Sequence, residues 1–255
     1  MALRTLQKWH GAGNDFLVEV MAHGTQPWWN PQRAAAVCHR THGVGADGLL
    51  LATVDTDVTM QLYNADGSVA EMSGNGIRCV AAAVRRATNA SWATLDVATA
   101  AGMRTVTLAM NGDAGYGSVA MGDVTFGESL PGTLGVAFVG NPHIVVRDDP
   151  KWTDAMREEL AETLSEQLGG ANVEYLTVLD DEHLSIKVIE RGVGWTEACG
   201  TGSVAVAAVA NREGLAATQV TVENPGGELK VEIVDGRATL SGPVQFVANV
   251  EWLVA

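Results

Sequence analysis

The chain has 255 residues, with 16 Lys+Arg against 30 Asp+Glu and a formal net charge of −14. Such an acidic surface repels phosphate backbones and anionic lipid, and no long run of Lys or Arg supplies a local exception, so neither nucleic acid nor a membrane surface is an expected partner. Hydrophobic residues make up 47% and charged residues only 18%, below the roughly 25% charged share of ordinary globular chains, which predicts a large buried core and excludes disorder.

In chain order, the first residues up to His10 contain no apolar stretch of signal-peptide type. Pro31 to Cys38 reads as a short helix opened by proline, and Asn75 to Ala87 as a longer, alanine-rich one. Thr94 to Ala98, Arg104 to Ala109 and Gly117 to Met121 read as strands between Gly, Asn and Asp turns. The longest charge-free run, Ser129 to Val146, is broken by Pro131, Gly132, Gly135, Gly140 and Pro142, so it predicts no membrane helix. A third helix covers Trp152 to Gln167, opened by Thr153 and Asp154 and closed by Gly169-Gly170, and a fourth covers Thr201 to Arg212. Gln219 to Val222, Leu229 to Val234 and Arg237 to Ser241 complete the strands. The three cysteines, Cys38, Cys79 and Cys199, are too few and odd in number for a disulfide framework, so a reducing, cytoplasmic location is expected.

The 29 glycines exceed the usual share of about 7% and mark an internal repeat. Ser73-Gly74-Asn75-Gly76, with its Ala81-Ala82-Ala83-Val84 tail, returns half a chain later as Cys199-Gly200-Thr201-Gly202 with Ala207-Ala208-Val209-Ala210. Asn64 falls on Glu190, Glu71 on Glu197, and Gly13-Asn14-Asp15-Phe16 on Gly140-Asn141-Pro142-His143. The same stations in the same order predict two similar α/β halves, 1–125 and 126–245, divided in the glycine-rich stretch near 123–133 and facing each other across a cleft.

In each half one side chain, Ser73 or Cys199, stands before Gly-x-Gly at the start of a helix. Bare backbone N–H groups and the helix dipole suit such a place to a carboxylate or phosphate. The same field predicts a lowered pKa for Cys199, whose thiolate could act as nucleophile or base, while Cys79 and Cys38 read as core or surface thiols. The grouping Cys38-His39-x-x-His42 lacks a matching second ligand pair, so no metal is expected.

Taken together, His10-Gly-Ala-Gly-Asn14-Asp15-Phe16, Gly43-Val-Gly-Ala-Asp47-Gly48, Asn64-Ala-Asp66-Gly67 through Glu71-Met-Ser-Gly74-Asn75-Gly76-Ile-Arg78-Cys79, Gly140-Asn141-Pro142-His143, Asn172-Val-Glu, and Glu190-Arg191-Gly-Val-Gly with Ala198-Cys199-Gly200-Thr201-Gly202 resemble the diaminopimelate epimerase family. The resemblance implies an α+β fold of two pseudo-symmetric halves, each a curved, mainly antiparallel sheet around a central helix, with the last strand (246–255) returning to the first half. It implies a cofactor-independent isomerase that interconverts LL- and meso-diaminopimelate, in lysine and peptidoglycan precursor synthesis, by two thiols working on opposite faces of the α-carbon.

Carried over by position, Cys199 resembles one acid/base thiol and Ser73 stands at the place of the other. Gly74, Asn75, Gly200 and Thr201 resemble the backbone cradle for the carboxylate at the reacting carbon. Asn14, Asn64, Asn141, Asn172, Glu190 and Arg191 resemble the readers of the far amino-acid end, and His143 and Glu190 the groups that tune the thiols. Asn64, Asn141 and Asn172 also suit plain turn chemistry. Two departures stand out: Ser73 at a thiol position, where serine also suits a plain helix cap, and Trp195 where the family carries Glu. The first leaves a second reading open, a half-active or non-catalytic binder of a diamino dicarboxylate on the same scaffold. A third, an isomerase nearer to the phenazine-pathway enzyme or proline racemase, suits the Asn and Glu-Arg set less well. The oligomeric state stays open, a homodimer being one option.

Overall fold

In the computed structural model, residues 2–25 and 28–254 are described. The expected spans 1–125 and 246–255 take in Met1, Gln26, Pro27 and Ala255, which lie outside the described residues. The chain divides into two units, Met1–Val119 with Gly242–Ala255, and Ala120–Ser241. The elements of the first are β1 (Ala2–Gly11), β2 (Asn14–Ala22), α1 (Pro31–Cys38), β3 (Gly48–Val54), β4 (Val58–Asn64), β5 (Val69–Ala70), α2 (Gly74–Thr88), β6 (Thr94–Thr99), β7 (Gly102–Asn111) and most of β8 (Ala114–Asp123). Those of the second are β9 (Thr125–Phe126), β10 (Gly135–Phe138), β11 (Pro142–Arg147), α3 (Asp154–Gln167), β12 (Asn172–Val178), β13 (His183–Glu190), β14 (Gly194–Thr196), α4 (Gly200–Arg212), β15 (Gln219–Asn224), β16 (Gly227–Val234) and the first part of β17 (Arg237–Val254).

The repeat is one of topology as well as motif. In the first unit the pairings run β1–β2 antiparallel, β2–β3 parallel, β3–β4 antiparallel, β4–β6 parallel, then β6–β7 and β7–β8 antiparallel. The second unit repeats that series with β10–β11, β11–β12, β12–β13, β13–β15, β15–β16 and β16–β17. The long strand β17 runs through Pro243, beyond the short strand expected to stop at Ser241, and its later residues pair antiparallel with β1.

Each unit buries one helix almost completely. Gly74 to Val84 of α2 and Gly200 to Ala210 of α4 are all buried, and their alanines and glycines let the strands approach closely. Strand β3 packs against α1 and α2, and β12 against α3 and α4. Covered on both faces, these strands read as continuous buried runs rather than alternating ones. Val173 and Tyr175 of β12 join the cluster with Ala161 and Leu164 of α3, so Glu174 between them faces α4. In the first unit Leu49 and Leu51 join Ala34 and Val37 of α1, while Leu50 faces α2.

The helix ends follow local chemistry. Asn30 caps α1 by accepting from Arg33 N–H, with Pro31 in its first turn. Thr153, at φ −79° and ψ 164°, is the cap of α3, so that helix starts at Asp154 and not at Trp152. In α2 and α4 the caps are Ser73 and Cys199, which moves both starts one residue ahead of the expected ones, to Gly74 and Gly200. Among the described residues no helix is long and apolar enough to cross a membrane.

Gly67 has φ +87°, and a Cβ there would lie 2.2 Å from the carbonyl oxygen of Pro31. It therefore ties the Asn64 turn to the start of α1. Gly67→Ala is expected to lower the unfolding free energy by about 2 kcal/mol or more, from left-handed strain plus the clash, as read by urea titration.

Candidate active site

Two helix N-termini of the same construction carry the candidate acid/base positions. Ser73 sits at φ −136° and ψ 123°, and its Oγ accepts from Gly76 N–H at 3.0 Å. Cys199 sits at φ −117° and ψ 114°, and its Sγ accepts from Gly202 N–H at 3.3 Å. A Cβ at Gly76 would stand 3.1 Å from Ser73 Cβ, and one at Gly202 would stand 2.6 Å from Glu174 Oε1. Glycine at the third helical position thus lets the cap side chain fold over the helix end. First-turn N–H groups of an α-helix have no carbonyl partner within it, which leaves the Gly74-Asn75 and Gly200-Thr201 ends suited to an anion.

Around Cys199 the surroundings are polar and buried. Its N–H donates to Asn224 Oδ1 at 3.4 Å, its carbonyl accepts from Ser203 Oγ at 2.8 Å, and its sulfur lies 3.5 Å from Thr201 Oγ1. Glu190 accepts from Thr196 Oγ1 at 2.6 Å. His143 is fully buried, with Nδ1 2.6 Å from Glu174 Oε1 and Nε2 2.9 Å from Asn141 Oδ1. Glu174 in turn lies directly under Gly202, which links His143 and Asn141 to the start of α4.

The lowered pKa expected for Cys199 does not hold. Burial pushes the thiol well above its ordinary value, and the carboxylates of Glu190 and Glu174 push it the same way, outweighing the hydrogen bonds from Thr201 and Gly202. Burial also raises Glu190 above the ordinary carboxyl value, against the lowering effect of the Thr196 hydrogen bond. Cys38 and Cys79 are pushed up to about 12 by burial.

In the first unit, Asn75 is wholly buried, and its Nδ2 donates to Asn14 Oδ1 at 3.4 Å. Asn14 Nδ2 donates to Asp47 Oδ2 at 2.7 Å. Asn64 stands apart from this pair: its Nδ2 donates to Ser68 Oγ at 3.0 Å inside its own turn. In the second unit Asn172 Oδ1 accepts from Arg191 N–H at 2.9 Å, placing Arg191 beside Glu190 at the end of β13. Trp195, on β14, donates from Nε1 to Glu158 on α3 at 2.7 Å and lies 6.3 Å from the Tyr175 ring, so it packs on α3.

Sequence reasoning assigned no role to Glu174, Arg78, Asp47, Ser203 or Asn224. Glu174 had a signal: a carboxylate two residues after Asn172, inside an otherwise apolar strand, must face the same side as Asn172. Arg78 had none, because an arginine on a helix normally marks its solvent face.

A family model for diaminopimelate epimerase matches residues 6–127 and 135–247. The chain belongs to the diaminopimelate epimerase family. Relatives within it include the diaminopimelate epimerases of Synechocystis sp., 34% identical over 97% of this chain and 98% of the relative, and of Desulforudis audaxviator, 35% identical over 97% and 99%. Among solved structures, a hydroxyproline epimerase from Agrobacterium vitis has TM-score 0.75 at 16% identity, covering 98% of this chain and 92% of that one. A phenazine biosynthesis protein from Bacillus anthracis has TM-score 0.76 at 14% identity, covering 100% of both chains. At these identities the likeness establishes the α+β fold that the diaminopimelate epimerase family shares with them.

Alkylation of Cys199 in the ligand-free protein should be slow near neutral pH and rise in the alkaline range, followed by peptide mapping after iodoacetamide. Glu190→Gln removes an anion that holds the thiol's proton, so the labelling profile should move to lower pH.

Proposed function

We propose that the chain interconverts LL- and meso-diaminopimelate by moving the α-proton between protein groups, Cys199 serving one face of the α-carbon and the position of Ser73 the other. The observation that carries this reading is the duplicated cap: in each unit an Oγ or Sγ accepts from the third helical N–H, at the mouth of a helix able to hold a carboxylate. In each unit the free first-turn N–H groups, of Gly74 and Asn75 in one and of Gly200 and Thr201 in the other, are donors that suit the α-carboxylate. Those donors also stabilise the charge that spreads onto the carboxylate when the α-proton leaves. Asn14, Asn64, Asn141, Asn172, Glu190 and Arg191 would read the far end, where a guanidinium fork suits a carboxylate and a carboxylate suits an ammonium. All three cysteines are free, an arrangement that a reducing cytoplasm maintains.

The electrostatics of the second unit give Cys199 its starting state. Held protonated by burial and two carboxylates, it begins as a thiol, and the Glu190 carboxylate, close enough to act on it, is the group that would take its proton. Once ionised, the sulfur can remove the α-proton from its face. Ser73 takes the matching part only slowly, since a hydroxyl stays protonated at neutral pH even at a helix end and is a weaker acid towards a carbanion than a thiol. The proton therefore returns mainly from the side of Cys199, and exchange without inversion outruns inversion.

Proton NMR of diaminopimelate in heavy water tests this. The unmodified protein should wash out α-hydrogen faster than it changes configuration, and Ser73→Cys should raise inversion at least about a hundredfold, the usual scale of one acid/base group. Cys199→Ser should abolish exchange in either background. Rapid inversion by the unmodified protein, unchanged in Ser73→Cys, would show that another residue is the second acid/base.

A further inference from the structure

One chain of hydrogen bonds in the first unit begins at a cation and ends at a carboxylate. Arg78 of α2 is fully buried; its Nη1 donates to Gly74 O at 3.0 Å and its Nη2 to Asn75 Oδ1 at 2.6 Å. Its Nε has no hydrogen-bond partner, and among the described residues no carboxylate pairs with the guanidinium. Burial brings Arg78 down to about 10, so it remains a cation at neutral pH. From Asn75 the chain passes through Asn14 to Asp47, whose other oxygen holds Arg40 Nη2 at 2.7 Å.

The two ends dictate the sense of everything between them. An amide can present its oxygen or its nitrogen to a neighbour, but a guanidinium only donates and a carboxylate only accepts. Asn75 must therefore turn its oxygen to Arg78 and its nitrogen to Asn14, and Asn14 its oxygen to Asn75 and its nitrogen to Asp47. Turning either amide by half a rotation would set donor against donor and acceptor against acceptor. Bonds aligned in this way also polarise one another. A buried guanidinium with no carboxylate beside it destabilises a folded chain, yet here it lies under a helix end suited to an anion.

We propose that Arg78 and Asp47 are positioning residues which, from opposite ends, fix the donor and acceptor sense of Asn75 and Asn14, and so set the polar pattern offered to a ligand carrying a carboxylate and an ammonium. The inference rests on the reading of Asn14 and Asn75 as ligand contacts. Neither Arg78 nor Asp47 need touch the ligand.

Calorimetric titration of diaminopimelate into the full chain, Asp47→Asn, Arg78→Met and the double variant tests it, with thermal unfolding alongside. Each single change should raise Kd about tenfold, and the double change should raise it little further, because a chain broken at either end has already lost its sense. Additive losses would overturn the inference, as would an unchanged Kd with a lowered unfolding temperature, the mark of a purely structural role. If Arg78→Met does not fold, Arg78→Lys takes its place in the cycle, with the same non-additivity expected. Failure of the unmodified chain to bind diaminopimelate would overturn the functional reading and this inference with it, whereas binding with additive losses would overturn the inference alone.

Discussion

A hydrogen bond from the third helical N–H back to the cap side chain, made once in each unit, is the contact on which the rest of the site depends. It holds Ser73 Oγ and Cys199 Sγ at the helix mouths, and it forms because both caps are extended and because Gly76 and Gly202 have no side chain to obstruct it. A cap at the centre of a unit requires a helix buried along its first turns, hence the run of Gly, Ala and Val in α2 and α4. Burying such a helix requires strands covered on both faces, which α1 and α3 provide from the outside of β3 and β12.

On this shared frame the starts of α2 and α4 stand beside buried charge of opposite sign. Beneath the start of α4 lie Glu174 and His143; at the matching stations beneath α2 lie Leu50 and Phe16. The first unit instead holds Arg78 within α2 itself, three residues after Asn75. A helix mouth over a cation favours an anion, and one beside carboxylates favours a neutral, protonated group. The duplication thus supplied two like positions, and substitution in the layer below made them electrostatically unlike.

Much of this was legible in the sequence because it rests on local chemistry. Pro31 to Cys38 matches its helix residue for residue, and the repeated Ser73 and Cys199 motifs disclosed both the caps and the halving of the chain. Helix starts were displaced by one or two residues because a cap residue has side-chain chemistry like that of the first turn but strand-like dihedrals. The ionisation of Cys199 was misread for a physical reason. The helix field depends on sequence position alone, whereas desolvation and the carboxylates of Glu190 and Glu174 depend on which strands fold against the thiol. Asn64 and Asn172 show the same limit: each is a turn-type residue by sequence, and only their partners, Ser68 for one and the Arg191 N–H for the other, separate their uses.

Strand β17 has a consequence for the order in which the chain can fold during synthesis. Its later residues pair with β1 in a register that sets Leu3 against Leu253 and Lys8 against Ala248, so the first unit joins segments made at widely separated times. The second unit, Ala120–Ser241, is continuous and has every strand it needs once Ser241 has been made. The segment synthesised later is therefore the one able to finish first, the reverse of the usual N-terminal-first order. Until then β1 has β2 on one edge and an open backbone on the other, an exposed edge of the kind that invites pairing with a second chain.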